Sequence, residues 1–376
     1  MNILVIDYTG ESAEWLSSSC KKDLNILHTI TPDDKYKSKF LEARDYDAIL
    51  IFESGKRHLF SAMAELFNLP EERIIYATGI DSWRSHTWAV YALLNEDSSM
   101  FRIAEYLLEH RKRKYTVCTL EDISYIGYAS DVQIMMDMYQ YGHNWSGDDM
   151  VIFNGLATNF YDLSGKKYFL DVGANIGTTS IYFKKKIDPS ISILAFEPDP
   201  ETYKLLQANI VLNGLSKDSI LENYGLADKE DNMILHRSSH KPGANSIISN
   251  QNSWTNHDCG EVSIHTVCLD DYLERKHINA NEIKYVWIDT EGYEAQVFFG
   301  MKKLITETNI PIFMEWNPEC YVRTGTFDIF VKLILDNFEN YIDINKVKAG
   351  NAVIQKTTDL WATKEFKEQT DIFLIK

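Results

Sequence analysis

One stretch of the chain, FLDVGANIGTTS, has residue types and spacing that could hold a small ligand. It carries two glycines four residues apart, Gly173 and Gly177, and glycine lets a ligand or a backbone approach closely. Dinucleotide-binding loops use GxGxxG, but Asn175 and Thr178 stand where the second and third glycines would be. The GxxxxGK[ST] pattern of phosphate-binding loops is also absent. The spacing therefore favours a ligand without a phosphate.

Two acidic residues indicate the charge of that ligand. Asp171 precedes the first glycine, where a carboxylate would repel a pyrophosphate and attract a cation. S-adenosylmethionine carries an ammonium and a sulfonium, and no phosphate. Glu197 ends the apolar run ISILAF, 24 residues after Gly173, where an acid can accept both ribose hydroxyls. Taken alone, Glu197 could equally be a solvated strand-end carboxylate, but together with the loop it favours a nucleoside cofactor.

A second group of acids could carry out the chemistry of methyl transfer. The segments IDTEGYE and FMEWNP contain Asp289, Glu291, Glu294 and Glu315. We expect Asp289 to be the base or the ligand of an acceptor hydroxyl, followed by Glu291 and then Glu315. Glu294 falls at a predicted helix start, where an acid complements the helix dipole. Three such carboxylates could instead hold Mg²⁺, and the sequence leaves base and metal ligand open.

Alternating strands and helices must bring these residues together. The apolar runs predict seven strands, at Tyr168–Val172, 191–196, 219–226, 285–288 and 310–314 with a closing hairpin at 341–344 and 372–375. A further short strand at 262–267 would lead into the helix DDYLERK. Helices are predicted from Thr178 and over Pro200–Leu212, DDYLERK, 293–305 and Phe327–Asn337. This order predicts a doubly wound, seven-stranded α/β sheet whose carboxyl ends meet at one edge.

The first 115 residues predict a separate small α/β domain with a parallel sheet. NILVID, LNILHT, DAILIF and RIIYAT read as strands, and FRIAEYLLEHRKRKY reads as a helix ending the domain. We therefore expect domains at residues 1–115 and 116–376. The first carries no usable glycine fingerprint, so its role could be to hold an acceptor, recruit a partner or form an oligomer.

A polar segment at residues 236–261 interrupts the alternation. It contains His236, His240, His257 and Trp254, and His265 follows it. A loop of this kind could fold over the substrate and supply a base or a stacking ring. The loop-surface interpretation is favoured for each histidine, whereas Trp254 could equally stack on a sugar or anchor the loop.

Six blocks together resemble the FkbM family of S-adenosylmethionine-dependent methyltransferases. They are FLDVGANIGTTS, AFEPDP, LLQANIVLNGL, VCLDDYL, VWIDTEGYEAQVFFGMKKLI and IPIFMEWNP, in that order, within residues 122–376. The resemblance implies a class I methyltransferase (Rossmann-like) fold with seven strands, the last antiparallel. It also implies methyl transfer, usually to a hydroxyl oxygen, with sugars and natural products among the acceptors.

The resemblance also assigns site residues. It implies that the methionine part is bound by Asp171, Gly173, Ala174, Asn175 and Gly177, and the ribose by Glu197 and Pro198. Asp228, in GLADKED, would lie near the adenine or be a plain turn acid. Trp287 departs from the family pattern, which commonly has lysine there. A tryptophan would offer a stacking face or point into the helix layer.

Composition narrows the remaining possibilities. The net charge is −17; the first 115 residues hold 18 acids and 15 bases, which leaves −14 on the rest. Such a surface repels nucleic acid and anionic lipid. We expect a cytoplasmic protein without a membrane span or signal peptide, with five reduced cysteines. Its expected role is methylation of a small or saccharide acceptor, such as a bacterial surface polysaccharide. A nucleotide-sugar oxidoreductase and a non-catalytic scaffold remain alternatives.

Overall fold

A computed structural model of the chain describes residues 2–7, 25–30, 48–52, 74–76, 114–131, 133–238, 242–248, 260–366 and 369–376. The chain divides into two compact units. One comprises Met1–Tyr115 with Met135–Gly142, and the other comprises Thr116–Ile134 with His143–Lys376. The expected domains, 1–115 and 116–376, stay a prediction.

Four parallel strands are described in the first unit. They are β1 (Asn2–Asp7), β2 (Asn25–Ile30), β3 (Ala48–Phe52) and β4 (Ile74–Tyr76), in the sheet order β2-β1-β3-β4. The parallel direction of every pair agrees with the predicted sheet. The helices predicted between them, including residues 101–113, lie outside the described residues.

The second unit is built on a large mixed sheet. Its strands are β7 (Tyr168–Val172), β8 (Ser192–Phe196), β9 (Ser219–Glu222), β13 (Ile283–Ile288), β14 (Ile312–Trp316), β15 (Asn340–Asp343), β16 (Ile354–Lys356) and β17 (Thr370–Ile375). Their order is β16-β15-β17-β14-β13-β7-β8-β9, and β17 runs antiparallel to both neighbours. The α/β class is confirmed. Within the described residues the sheet has eight strands, because the short strand β16 adds to the edge beyond the hairpin.

Two smaller sheets were not predicted. One contains β10 (Gly225–Leu226), β11 (Asp231–His236) and β12 (Glu261–Val267); the other is the hairpin β5 (Tyr115–Leu120) and β6 (Ile123–Tyr128). The predicted strand 219–226 therefore splits into β9 and β10, which belong to different sheets. Periodicity could not show this, because it does not reveal which strand a segment pairs with.

Ten α-helices are described, and all but the first, most of which belongs to the other unit, lie in the same unit as the large sheet. They are α1 (Ile134–Tyr141), α2 (Gly147–Phe160), α3 (Thr178–Tyr182), α4 (Pro200–Leu212), α5 (Leu269–Arg275), α6 (Glu294–Phe299), α7 (Lys302–Glu307), α8 (Pro318–Arg323), α9 (Phe327–Asn337) and α10 (Ile344–Lys348). On one face, Val286 and Ile288 pack in the larger core; on the other, Tyr285 and Trp287 pack with Phe153 of α2. The near-continuous apolar strands are typical of a sheet buried on both faces.

Local signals fixed the helix predicted at Pro200–Leu212, and this prediction is confirmed. Asp199 is its N-cap, and the carboxylate accepts hydrogen bonds from the backbone N–H groups of Glu201 and Thr202. Proline at the first helical position needs no hydrogen-bond partner. The helix predicted at 293–305 is instead two helices, α6 and α7, because the chain bends at Gly300, where α6 ends.

We predict that Gly300→Ala lowers the free energy of unfolding by about 2 kcal/mol or more. A Cβ at Gly300 would lie 1.9 Å from the carbonyl oxygen of Ala227, so the backbone beside β10 would have to move. Gly155→Ala in α2 is the control, because a Cβ there meets nothing within 4 Å. We expect this control to raise stability by about 0.5–1 kcal/mol. Urea unfolding of both variants measures the difference; equal stabilities would contradict the prediction.

Candidate functional site

A cleft of about 990 Å³ opens at the carboxyl ends of the central strands. Its walls come from the loops that follow β7, β8 and β13, together with residues 133–134 and 242–247. Strand order reverses between β7 and β13, since β8 and β9 extend one way and β14 the other. Doubly wound sheets bind ligands at such a switch point.

The glycine loop lines the cleft, although Gly173 serves a different purpose from the one expected. Its φ is +84°, and a Cβ there would lie 1.9 Å from the carbonyl oxygen of Asp289. Its N–H donates to the carbonyl of Phe196 at 3.0 Å. Glycine is therefore required because the loop crosses the end of β13, so the space that a Cβ would fill is held by protein backbone rather than by a ligand.

Glu197 joins the glycine loop to the end of β8. Its Oε2 accepts a hydrogen bond from the N–H of Asn175 at 2.9 Å, and its Oε1 accepts one from the N–H of Asp199 at 2.8 Å. Asn175 has a φ of +50°, which turns its N–H toward this carboxylate. Burial raises the pKa of Glu197 to about 8. Each oxygen keeps a lone pair that can accept from a ligand hydroxyl, and Ala174 and Pro198 lie beside it in the cleft wall.

Asp171 and Gly177 lie behind the loop instead of on the cleft wall. The Asp171 carboxylate accepts a hydrogen bond from Ser180 Oγ, its other oxygen has no hydrogen-bond partner, and the residue is 1% exposed. Burial raises its pKa to about 7. Gly177 begins α3 with a φ of +89°, and a Cβ there would lie 2.7 Å from a methyl group of Leu206. Both residues position the loop, and their contact with a cofactor stays a prediction.

The loop after β13 brings Asp289 and Glu291 to the cleft. Asp289 lines the cleft and is accessible from it, although protein surrounds its carboxyl group on the other sides. Burial of the carboxyl group, and then the negative charge of Asp371, raises the pKa of Asp289 to about 7. Glu291 has a φ of +54°, a conformation that costs a non-glycine residue energy. Such an arrangement can accept a proton or hydrogen-bond a hydroxyl.

Glu294 holds this loop in shape. It is fully buried, and its Oε1 accepts hydrogen bonds from Thr290 N–H, Thr290 Oγ1 and Gly292 N–H at 2.8–3.1 Å. Its Oε2 accepts one from Tyr321 Oη at 2.9 Å. Sequence reasoning assigned Glu294 to the helix dipole, whereas its carboxylate organises the loop that carries Asp289 and Glu291.

Glu315 does not line the cleft. It is 6% exposed and lies opposite Asp371 in the β14–β17 ladder, and its Oε2 has no hydrogen-bond partner. Burial, followed by the negative charge of Glu291, raises its pKa well above the usual range. Sequence reasoning missed Asp371, because its position opposite Glu315 depends on strand register.

We predict that Asp371→Asn stabilises the protein by about 1 kcal/mol or more at pH 8. Burial, and then the charge of Asp149, raises the Asp371 pKa from 3.8 to about 7 against the opposing charge of Lys348. The folded state thus favours the protonated form of Asp371. The stability that this preference contributes is present at low pH and is lost as the pH rises from about 4 to about 7. Asparagine removes that loss.

Thermal unfolding at pH 5 and pH 8 tests this prediction, since the gain should be larger at pH 8. Asp328→Asn is the control, because this exposed acid in the first turn of α9 pairs with Lys364 and should change stability by less than about 0.5 kcal/mol at either pH. A variant no more stable than the wild type at pH 8 would contradict the argument.

The Mg²⁺ alternative receives no support from the site. A search of the described part of the chain finds no group of three or more His, Cys, Asp or Glu side chains arranged to hold a metal ion. Asp289 and Glu291 face the cleft while Glu315 lies beneath, so the three carboxylates do not converge.

The Trp287 ring packs into the helix layer, which is one of the two positions that the sequence left open. The ring stacks on Phe313 with centroids 3.9 Å apart and planes 6° apart, and it packs edge-on to Phe153. One part of the residue also reaches the cleft, where Trp145 lies as well. Trp145 was not singled out by the sequence, because it precedes α2 in a segment without any motif.

Asp228, His236 and His265 do not line the cleft. Asp228 is exposed and is not part of the wall. His236 pairs with Glu261, and His265 contacts Asn232 and Glu230. His240, Trp254 and His257 lie outside the described residues. No helix in the described ranges is long and apolar enough to cross a membrane.

The cleft fits S-adenosylmethionine by its chemistry. Glu197 offers acceptors for two hydroxyls, and Asp289 and Glu291 supply negative charge for a cationic ligand. Val172, Phe196 and Leu226 provide apolar surface for a base. Among the wall residues that the structure describes, none has a cationic side chain, which disfavours a pyrophosphate.

Comparison with known proteins shows which methyltransferases this chain resembles. Residues 171–337 match the family model described as the methyltransferase FkbM domain. Methyltransferase sdnD of Sordaria araneosa is 32% identical over 97 residues, which cover 26% of this chain and 37% of sdnD. The 2-O-methyltransferase NoeI of Sinorhizobium fredii is 26% identical over 200 residues, covering 50% of this chain and 79% of NoeI.

Two further proteins complete the comparison. Methyltransferase 1 of Beauveria bassiana is 27% identical over 147 residues, so the match spans 36% of this chain and 58% of that protein. The crystal structure of methyltransferase FkbM from Methylobacillus flagellatus aligns with 99% of this chain and 89% of its own. Its identity is 10% and the TM-score is 0.34.

Proposed function

We propose, from the premise that residues 171–337 belong to the FkbM methyltransferase domain family, that the chain is an S-adenosylmethionine-dependent O-methyltransferase. Its acceptor is a hydroxyl of a sugar or another small polyhydroxy compound. The observation that carries this proposal is the meeting of Glu197, Asp289 and Glu291 in one cleft at the switch point of the sheet.

The cofactor side of the cleft lies at the loops after β7 and β8. Glu197 accepts hydrogen bonds from the ribose hydroxyls, and the backbone of Ala174 and Asn175 forms the part of the glycine loop that faces the cofactor. Asp171 supports this loop from behind through Ser180. S-adenosylmethionine supplies a methyl group that its sulfonium has already activated.

The acceptor side lies at the loop after β13. Asp289 accepts the proton of the acceptor hydroxyl, and Glu291 orients the hydroxyl beside it. A base with a pKa near 7 suits proton transfer at neutral pH, and general base catalysis contributes about 10²–10⁴-fold. Glu294 accepts hydrogen bonds from Thr290 and Gly292, and so holds the loop that carries Asp289 and Glu291 in the shape that aligns the acceptor.

Two features support a saccharide as the acceptor. Carboxylates bind vicinal hydroxyls, and Trp145 in the cleft wall offers apolar surface to the C–H face of a sugar ring. The relative NoeI is named a 2-O-methyltransferase, which agrees with a hydroxyl acceptor. A role in surface polysaccharide modification follows if that acceptor is part of a bacterial glycan.

Isothermal titration tests the cofactor, and mass spectrometry tests the acceptor. We expect binding of S-adenosylmethionine and none of NAD, and a gain of one methyl mass on a saccharide incubated with protein and cofactor. Micromolar binding of NAD without binding of S-adenosylmethionine would support an oxidoreductase instead. Cofactor binding without methylation of any of a panel of glycans would support a scaffold.

A further inference from the structure

A segment of the polar interruption closes one wall of the cleft. We name residues 237–238 and 242–248 the strap; residues 239–241 lie outside the described residues and are not part of it. Pro242, Gly243, Asn245 and Ile247 of the strap line the cleft. A Cβ at Gly243 would lie 3.2 Å from the side-chain nitrogen of Asn175, so the strap packs directly over the glycine loop.

An ion pair fastens the strap beside the ribose end of the cleft. Arg237 Nε lies 2.5 Å from Asp199 Oδ2, and its Nη2 lies 2.6 Å from Oδ1, which is a two-pronged contact. Asp199 is 2% exposed and the Arg237 side chain is 24% exposed. Pairs of this geometry are stronger than ordinary surface ion pairs.

Asp199 is also hydrogen-bonded to Glu197, the acid that is proposed to bind the ribose. The N–H of Asp199 donates to Glu197 Oε1, and Asn245 Nδ2 of the strap lies 3.3 Å from Asp199 Oδ2. Asn245 Oδ1 in turn accepts a hydrogen bond from the N–H of Ser238, which holds the two ends of the strap together.

A separate contact fastens the far end of the strap to the acceptor loop. Ser246 Oγ donates to the carbonyl oxygen of Glu291 at 2.9 Å. The backbones of Ser246 and His236 exchange two hydrogen bonds at 2.9 and 3.1 Å. The strap is thus held at both halves of the cleft, and Arg237 and Asn245 both contact Asp199 at the cofactor half.

We infer that Arg237 is a positioning residue that holds the strap against the adenosine half of the cleft and so sets the affinity for S-adenosylmethionine. This inference rests on the proposed function. Arg237 does not line the cleft itself, and it acts through Asp199 and the strap. Its loss should loosen cofactor binding and leave the acceptor side, which Ser246 holds, in place.

Titration with S-adenosylmethionine and steady-state kinetics test the inference on the full chain. We expect Arg237→Ala to raise the Kd and the KM for the cofactor by about tenfold or more. At saturating cofactor, kcat should stay within about threefold of the wild type. Arg237→Lys keeps the charge without the two-pronged geometry, so its Kd should lie between those of Ala and the wild type. Arg275→Ala, which removes an exposed pair with Glu230, is the control and should leave the Kd unchanged.

The outcomes separate this inference from the proposed function. A Kd unchanged in Arg237→Ala, or a fall in kcat without a change in Kd, would overturn the inference while the function stands. If Arg237→Ala fails to fold, Asn245→Ala gives the answer, because it removes the second contact on Asp199 and should raise the Kd about threefold. A wild-type protein without affinity for S-adenosylmethionine would contradict the proposed function, and the inference with it.

Discussion

Asp289→Asn should lower kcat by about 10²–10⁴-fold, which is the contribution of a general base. Asparagine keeps the size and the hydrogen-bonding reach of the side chain but cannot take a proton. Asp289 lies at the end of β13 within the cleft, and its pKa of about 7 lets it accept a proton at neutral pH. Because the backbone of Asp289 also abuts Gly173, the isosteric change is preferable to alanine. Methyl transfer should be measured at about pH 8, where the wild-type carboxylate is ionised.

Glu315→Gln provides the comparison for this prediction. Glu315 was also expected to be catalytic, yet it is buried opposite Asp371 and does not reach the cleft. We expect its kcat to change by less than about tenfold, with cofactor affinity preserved. Equal losses in the two variants would show that catalysis depends on the acids as a buried group and not on Asp289 as a base.

Glu197→Gln should weaken the affinity for S-adenosylmethionine by about 10–100-fold, since hydrogen bonds to a charged group contribute about 1.5–3 kcal/mol. The amide would keep one acceptor oxygen, while its NH₂ would face a backbone N–H of Asn175 or Asp199. It would also offer fewer lone pairs to the ribose hydroxyls. Titration at about pH 9 is the sharpest measurement, because burial raises the Glu197 pKa to about 8.

Glu222→Gln is the matched control, because Glu222 ends the neighbouring strand β9 without lining the cleft. Its Oε1 accepts hydrogen bonds from Tyr272 Oη and Lys276 Nζ, both at 2.8 Å. We expect its cofactor affinity to equal that of the wild type. An unchanged Kd for Glu197→Gln would mean that this acid only supports the glycine loop.

Much of the second unit follows from the sequence. Apolar runs and cap residues located β7, α4 and α9 at their observed ends, because strand burial and helix capping are short-range effects. The same order of elements predicted that Gly173, Glu197 and Asp289 would meet at one edge of the sheet, since parallel strands end together there.

The sequence by itself determined the α/β class, the order of strands and helices, and the acids that end the central strands. Only the tertiary structure decided which of those acids face the cleft. Asp171 and Glu315 lie behind or beneath it, whereas Glu197, Asp289 and Glu291 line it. Whether an acid faces the cleft depends on backbone turns beyond the strand ends. It also depends on contacts between distant segments, such as Gly173 against Asp289 and Arg237 against Asp199. Those contacts join residues far apart in the chain, so no local pattern of residue types can encode them.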